Sequence, residues 1–268
     1  MAAVPNGSFR IAHISDLHCG GPHFVPTLLE RAISEINDMQ PDIVICSGDL
    51  TTFGFKPEYA EAKAFLDRLE CRARVIVPGN HDARNVGYVH FEAMFGERSS
   101  VLRADGVTVV AVDSTEPDLD HGEIGRGRYP WIEQQFAVPA ALRIFVLHHH
   151  LLPVPGTGRE RNVVYDAGDA IECLLRAGVD LVLCGHKHVP YAWRLEDMFI
   201  VNTGTVSSMR LRGNTRPCYN VVDVDGHRVE VWRHYPYHGR DLIIRFSTET
   251  LAYEKHVSGI ESEISGRP

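Results

Sequence analysis

Residues 74–82 read Arg-Val-Ile-Val-Pro-Gly-Asn-His-Asp: a short β-branched run, then a proline and glycine that end it, then three side chains bearing oxygen or nitrogen donors. The same construction recurs at 10–18 (RIAHISDLH), 43–49 (IVICSGD), 144–150 (IFVLHHH) and 180–188 (DLVLCGHKH). The runs Arg10–Ile14, Ile43–Cys46, Arg74–Val77, Ile144–Leu147 and Asp180–Cys184 are apolar on both faces, as central strands of a covered sheet must be. Between them lie stretches of helical period. Leu28, Leu29, Ala32, Ile33 and Ile36 share one face; so do Tyr59, Ala62, Phe65, Leu66 and Leu69, and Ala170–Ala177 is a third. Strands alternating with helices predict an α/β fold with a mostly parallel sheet and right-handed crossovers.

In such sheets ligands bind where the connecting loops converge, at the carboxyl ends of the strands. Asp16, Asp49 and Asn80 follow successive strands about 30 residues apart, roughly one βαβ unit each. The chain therefore returns to one edge after each crossover, and brings His18, His148, His186 and His188 there too. Carboxylate, amide and imidazole donors without thiolates suit Mn, Fe, Zn or Co better than Ca, and argue against a structural zinc or iron–sulfur site. Within Asp16-Leu-His18 two side chains can chelate one ion, and His186 with His188 can do the same. Asp49 would sit between the sets, as a carboxylate bridging ions about 3.5–4 Å apart does. Cys19 adjoins His18 but is a poor ligand candidate. Grouped carboxylates and imidazoles repel, or lose solvation, unless an ion compensates them.

The ordered series DLH, GD, GNHD, HHH and GHKH across residues 16–188 resembles the calcineurin-like metallophosphoesterase superfamily. That resemblance implies a four-layer α/β-β/α sandwich of two mixed sheets flanked by helices, here with a C-terminal antiparallel strand-rich segment. It further implies two divalent metal ions, manganese or iron favoured. Asp16, His18 and His188 resemble the ligands of the first, Asn80, His148 and His186 those of the second, and Asp49 the bridge. A hydroxide held between the ions would attack phosphorus. His81 resembles the histidine beside the substrate that protonates the leaving oxygen or stabilises charge, with Asp82 as an orienting partner. In relatives the ligand is the first histidine leaving the strand, hence His148; His149 is next in line, and His150 stands where many have proline.

The segment Asn202–Arg210 (NTGTVSSMR) resembles the class III cyclic nucleotide and glycerophosphodiester phosphodiesterase branch. A phosphodiesterase acting on small diesters is therefore expected. The alternatives are a phosphomonoesterase or nucleotide pyrophosphatase of the same superfamily and, remotely, a non-catalytic scaffold, which should lack several ligands. The motifs bring two cations, Lys187 and Arg84, neither expected to reach the site; that disfavours a dianionic monoester.

A net charge of −8 argues against long nucleic acids as partners, because phosphate backbones are met by basic surfaces. Six cysteines without a CxxC pair suit free thiols in a reducing compartment. With no signal-peptide pattern and no apolar stretch of membrane-spanning length, a cytoplasmic location is expected. Residues 1–268 read as one metallophosphoesterase domain, with motifs at 16–188, a β-rich part at 190–238 and a tail at 239–268. Further strands are expected at Val107–Val112, Ala192–Leu195, Phe199–Asn202, Tyr219–Val224 and Val229–His234, and a short helix at Trp131–Phe136. Loops of the β-rich part could wall the cleft or make a homodimer face. The glycine-rich loop His121–Arg128 reads as a surface turn rather than a phosphate contact, and Arg159-Glu160-Arg161 as a solvated loop.

Overall fold

Ile43 and Ile45 face one way and Val44 and Cys46 the other, and all four are buried. That double burial explains the unbroken apolar runs: each strand has a neighbouring layer on both sides. The computed structural model describes residues 8–157, 163–212 and 214–256; the Arg159–Arg161 loop and the end of the tail lie outside them.

Seven strands form the first sheet. β1 (Ser8–Ile14), β2 (Ile43–Cys46) and β3 (Ala73–Ile76) run parallel. On the other side of β1 follow β10 (Tyr219–Asp225), β11 (Arg228–Tyr235), β12 (Gly239–Ser247) and β13 (Tyr253–Lys255), each antiparallel to the last. The second sheet has the order β4-β5-β6-β7-β9-β8. Its strands are β4 (Ser100–Ala104), β5 (Val107–Ala111), β6 (Leu142–Val146), β7 (Leu181–Cys184), β8 (Tyr191–Leu195) and β9 (Met198–Asn202), parallel from β5 through β9 apart from the antiparallel edges.

The sheets face each other across Ile11, Ile45 and Val75 from the first and Val109, Ile144 and Leu183 from the second. Helices α1 (Pro26–Asp38) and α2 (Lys56–Leu66) cover the outer face of the first sheet through Leu29, Ile36, Tyr59 and Leu66. α4 (Tyr129–Phe136) and α5 (Ala167–Arg176) cover the second through Ile132, Phe136, Cys173 and Leu174. The four layers match the architecture that the resemblance implies. α3 (Gly87–Phe95) has no counterpart in the sequence reading.

Two details differ from a simple reading of the pattern. The C-terminal strands are not one run: the β8–β9 hairpin extends the second sheet, with β9 parallel to β7, whereas β10–β11 extends the first. The tail, which carries few pattern signals, supplies β12 and β13. All six cysteines are unpaired. No helix among the described residues is long and apolar enough to cross a membrane.

Candidate metal centre

β1, β2 and β3 end at one edge of the first sheet, and β6 and β7 end beside them at the edge of the second. Asp16, His18, Asp49 and Asn80 thus come from one sheet and His148, His186 and His188 from the other. All seven are buried. Asp16, His18, Asp49, His186 and His188 have positive φ, between 53° and 79°. That conformation costs a residue with a side chain about 1–3 kcal/mol, and it lets each loop reverse at once and aim its donor inward. Crowding explains the glycines. A Cβ on Gly48 would stand 2.6 Å from the Gly79 nitrogen and 2.7 Å from His148 Nδ1, and one on Gly79 would overlap the Asp49 carboxylate.

Two sets of donor atoms result. His188 Nε2 lies 2.8 Å from His18 Nε2 and 3.3 Å from Asp16 Oδ1. His148 Nε2 lies 3.2 Å from Asn80 Oδ1, which is 2.9 Å from His186 Nδ1. Asp49 joins the sets: its Oδ2 is 3.6 Å from His18 Nε2 and its Oδ1 is 3.4 Å from His148 Nε2.

Hydrogen bonds behind the histidines decide which nitrogens face inward. His148 Nδ1–H donates to the Ser47 carbonyl at 2.7 Å, and His188 Nδ1–H to the Arg210 carbonyl at 2.6 Å. A carbonyl can only accept, so the neutral rings present bare Nε2 lone pairs to the site. The Asn80 amide is oriented likewise: its Nδ2 donates to Asp120 Oδ1 at 3.2 Å, leaving Oδ1 toward the histidines. Lone pairs therefore face lone pairs, and buried Asp16 Oδ1 has no hydrogen-bond partner. Acceptors packed together in this way call for cations. Oxygen and imidazole donors fit divalent transition metals. Asp16 with His18 and His188, Asp16 with Asp49 and His148, and His18 with Asp49 and His81 each bring three ligand atoms within 4.8 Å of one another.

Protons stand in for the cations in the metal-free chain. Burial would lower His148, but Asp49 beside it outweighs burial and carries it up to about 9. Burial would raise Asp49, yet His148, His81 and His18 hold it well below the ordinary carboxylate range.

His81 sits against this cluster, with its ring 4.8 Å from that of His18 and its backbone N–H donating to Asp49 Oδ1 at 2.9 Å. Asp82 does not orient it, contrary to expectation. The Asp82 carboxylate is occupied by the amides of Leu50, Thr51 and Gly79 and by the Thr51 hydroxyl, tying the two loops together. The orienting group is the Thr52 carbonyl, which accepts from His81 Nδ1–H at 2.6 Å and leaves Nε2 free. Arg84 Nη1 stands 3.2 Å from the same Nδ1, which cannot accept from it while carrying that hydrogen; the guanidinium is held by Asp120 at 2.5 Å.

The three consecutive histidines separate cleanly. His149 Nδ1 meets the Ser114 hydroxyl at 2.8 Å, and His150 Nε2 meets the Gly185 carbonyl at 2.7 Å. Only His148 faces Asp49 and Asn80. Changing each to alanine is expected to deplete metal in His148→Ala alone, as read by metal analysis of the purified variants. Depletion in His149→Ala with normal content in His148→Ala would shift the assignment by one residue. Cys19 is packed in the core beneath α1 and α2, away from the donor groups.

The expectation that Lys187 and Arg84 miss the site is overturned. Both line an open cleft of about 140 Å³ over the donors, with Arg210 and Arg212 beside them. Arg210 closes the NTGTVSSMR stretch and Arg212, which no motif marks, lies two residues on; the fold brings the stretch over Asp16, with Thr205 Oγ1 donating to the Asp16 carbonyl at 2.6 Å and Ser207 Oγ to that of Leu17 at 3.0 Å. The His121–Arg128 loop does point elsewhere: Arg126 pairs with Asp169 and Arg128 donates to the Asp113 carbonyl.

Comparison with known proteins agrees with this geometry. The chain is 30% identical over 205 residues, 70% of its length and 67% of the relative's, to a probable cyclic nucleotide phosphodiesterase of Rhodococcus erythropolis. It is 29% identical over 172 residues, 60% of its length and 62% of the relative's, to a probable glycerophosphodiester phosphodiesterase, GpdQ, of Arcobacter nitrofigilis. A dimetal phosphatase from Danio rerio shares the fold with a TM-score of 0.70 at 11% identity, covering 88% of this chain and 99% of that one. Residues 9–190, which hold every strand-end motif, match the calcineurin-like phosphoesterases, and the chain belongs to that family of metal-dependent enzymes.

Proposed function

We propose that this chain is a phosphodiesterase acting on small phosphodiesters, of cyclic nucleotide or glycerophosphodiester type. In this reading one ion is held by Asp16, His18 and His188, a second by Asn80, His148 and His186, and Asp49 lies between them. The observation that carries it is the convergence of seven buried donors, with backbone carbonyls behind His148 and His188 turning their Nε2 atoms into the site; the names of the relatives support a diester substrate. Two divalent ions, manganese or iron favoured, would supply Lewis acidity to the phosphoryl oxygens and to an attacking water.

The chain's own residues do the rest. Asp49 neutralises charge for both sites, and the carbonyls of Ser47 and Arg210 hold two ligand rings in the metal-accepting tautomer. His81, fixed through Thr52, keeps Nε2 available to protonate the departing ester oxygen or to stabilise charge on the phosphoryl group. With Mn²⁺, kcat/KM for bis-p-nitrophenyl phosphate is expected to exceed that for p-nitrophenyl phosphate, and chelation should abolish both activities. A clear preference for the monoester would replace the diesterase reading with a phosphomonoesterase. The cations lining the cleft are the specific observation that favours this second reading, since a dianion needs more positive charge than a monoanionic diester.

A further inference from the structure

We infer that Phe53, with Phe55 beside it, forms an aromatic ledge next to His81 on which the base of a cyclic nucleotide stacks. The ledge favours a diester whose arm carries a planar base over one whose arm is glycerol. This rests on the diesterase reading above and narrows it to one of its two substrate types.

Three observations support the ledge. First, the rings are exposed while the backbone that carries them is fixed. Phe53 and Phe55 are 42% and 49% exposed, with ring centroids 6.0 Å apart and planes 33° apart. The Phe53 N–H donates to Glu58 Oε2 at 2.8 Å, and the Phe55 N–H reaches the same oxygen at 3.4 Å. The Phe53 carbonyl accepts from Asn85 Nδ2 at 3.0 Å, and the Gly54 N–H donates to Thr51 Oγ1 at 3.2 Å. Gly54, between the two rings, has a φ of 75°, and a Cβ there would stand 2.3 Å from the Arg84 carbonyl oxygen. Leaving two aromatic rings in water forgoes the burial such side chains ordinarily gain. A rigid mount lets them take up a ligand with little further loss of freedom.

Second, the ledge is continuous with the site. Thr52, the residue before Phe53, accepts from His81 Nδ1–H through its carbonyl, and its Oγ1 donates to the His18 carbonyl at 3.0 Å. In the proposed reading His81 faces the departing ester oxygen. The ribose that bears this oxygen then lies on the His81 side, and its base extends outward past His81 to the neighbouring residue. The cleft that Lys187, Arg210 and Arg212 line offers the base nothing comparable, since it has no aliphatic side chain and no aromatic one besides histidine. A base gains from an aromatic face, and a glycerol arm does not.

Third, the neighbouring backbone is strained where it holds the ledge. Asn85 and Val86 both have left-handed φ, 49° and 55°, and Val86 is β-branched and exposed, a residue type that rarely adopts this conformation. Asn85 is held there from two sides, its N–H donating to Asp118 Oδ1 at 2.8 Å and its side chain to the Phe53 carbonyl. Strain of this kind persists only where the surroundings over-determine it, and it gathers at ligand clamps. The bond it serves here is one that fixes the backbone beneath the Phe53 ring.

The test compares the Mn²⁺-loaded wild type with Phe53→Ala and Phe53→Trp on cyclic AMP and on methyl β-D-ribofuranoside 3′,5′-cyclic phosphate, which keeps the scissile ring and lacks the base. Phe53→Ala is expected to lower kcat/KM on cyclic AMP about tenfold beyond its effect on the base-free substrate, mostly through KM, from the loss of one stacking contact. Phe53→Trp, which keeps an aromatic face, should preserve the wild-type ratio of the two substrates. Equal losses on both substrates in Phe53→Ala, or a preference of the wild type for glycerophosphoethanolamine over cyclic AMP, would overturn the ledge. Loss of a dimer in Phe53→Ala with that ratio unchanged would make it a contact between copies of the chain instead. Indole fluorescence gives a readout apart from turnover. A slowly hydrolysed phosphorothioate analogue of cyclic AMP should quench Phe53→Trp more than the wild type, and equal quenching refutes stacking. Should the wild type hydrolyse none of these diesters, the diesterase reading falls, and the fluorescence measurement still judges the ledge.

Discussion

Asp49→Ala is expected to leave the protein with one weakly held metal equivalent or none, and to lower kcat by about a thousandfold or more. Metal ions of this kind contribute several kcal/mol to phosphoryl transfer, and each 1.4 kcal/mol or so is tenfold in rate. Asp49 is singled out because both of its oxygens face the donor groups, Oδ2 at 3.6 Å from His18 and Oδ1 at 3.4 Å from His148. Asp49→Asn separates charge from shape. It keeps an oxygen for the His81 amide, so the loops should hold, while the charge that two cations share is gone. Metal analysis showing two equivalents bound in the alanine variant would remove Asp49 from the bridging position. A pH effect accompanies it. His148 holds its proton up to about 9 in the metal-free chain. Loading an ion must expel that proton, so metal affinity should fall as the pH is lowered below that value.

His81→Ala is expected to keep both metals and lose roughly 10²–10⁴ in kcat, the usual worth of a general acid or a transition-state donor. The ring is held by a backbone carbonyl and is not needed to complete either proposed ligand set, although its proximity to His18 and Asp49 makes the metal measurement decisive. Loss of metal in the variant would make His81 a ligand. The leaving group then separates the two roles. An acid matters most when the departing oxygen is a poor leaving group, so its removal should cost an alkyl ester more than a p-nitrophenyl ester. A charge stabiliser should cost both alike.

The seven donors were legible because each follows directly on a β-branched run, so that strand periodicity alone places them at one edge. The layering was less so. A buried strand reads the same whether its partner belongs to its own sheet or a facing one, and nothing in IFVL or DLVLC assigns those strands to a second sheet. Backbone groups leave no mark either: the Thr52 carbonyl, not Asp82, orients His81, and any residue at 52 would supply it. That Arg210 and Arg212 stand over the centre was not read from the sequence for a third reason. The loop that carries them leaves β9, and it reaches the centre because β9 lies parallel to β7 with Asn202 opposite Cys184, where the sequence reading expected an antiparallel run. β13 was hidden because an edge strand facing solvent needs little apolar patterning, whereas β12 does carry Ile243, Ile244 and Phe246 into the core.

The division of donors between the sheets has a mechanical consequence. In the proposed assignment each ion takes ligands from both sheets, Asp16 and His18 with His188, and Asn80 with His148 and His186. The ions would then act as rivets at an edge already joined by hydrogen bonds such as His148 Nδ1–H to the Ser47 carbonyl, in a sandwich whose broad inner faces meet through non-directional apolar contact. Pulling the sheets apart at this edge should meet resistance that a chelator removes. Amide exchange in the loops after β2 and β6 should quicken on metal removal, well before the central strands are affected.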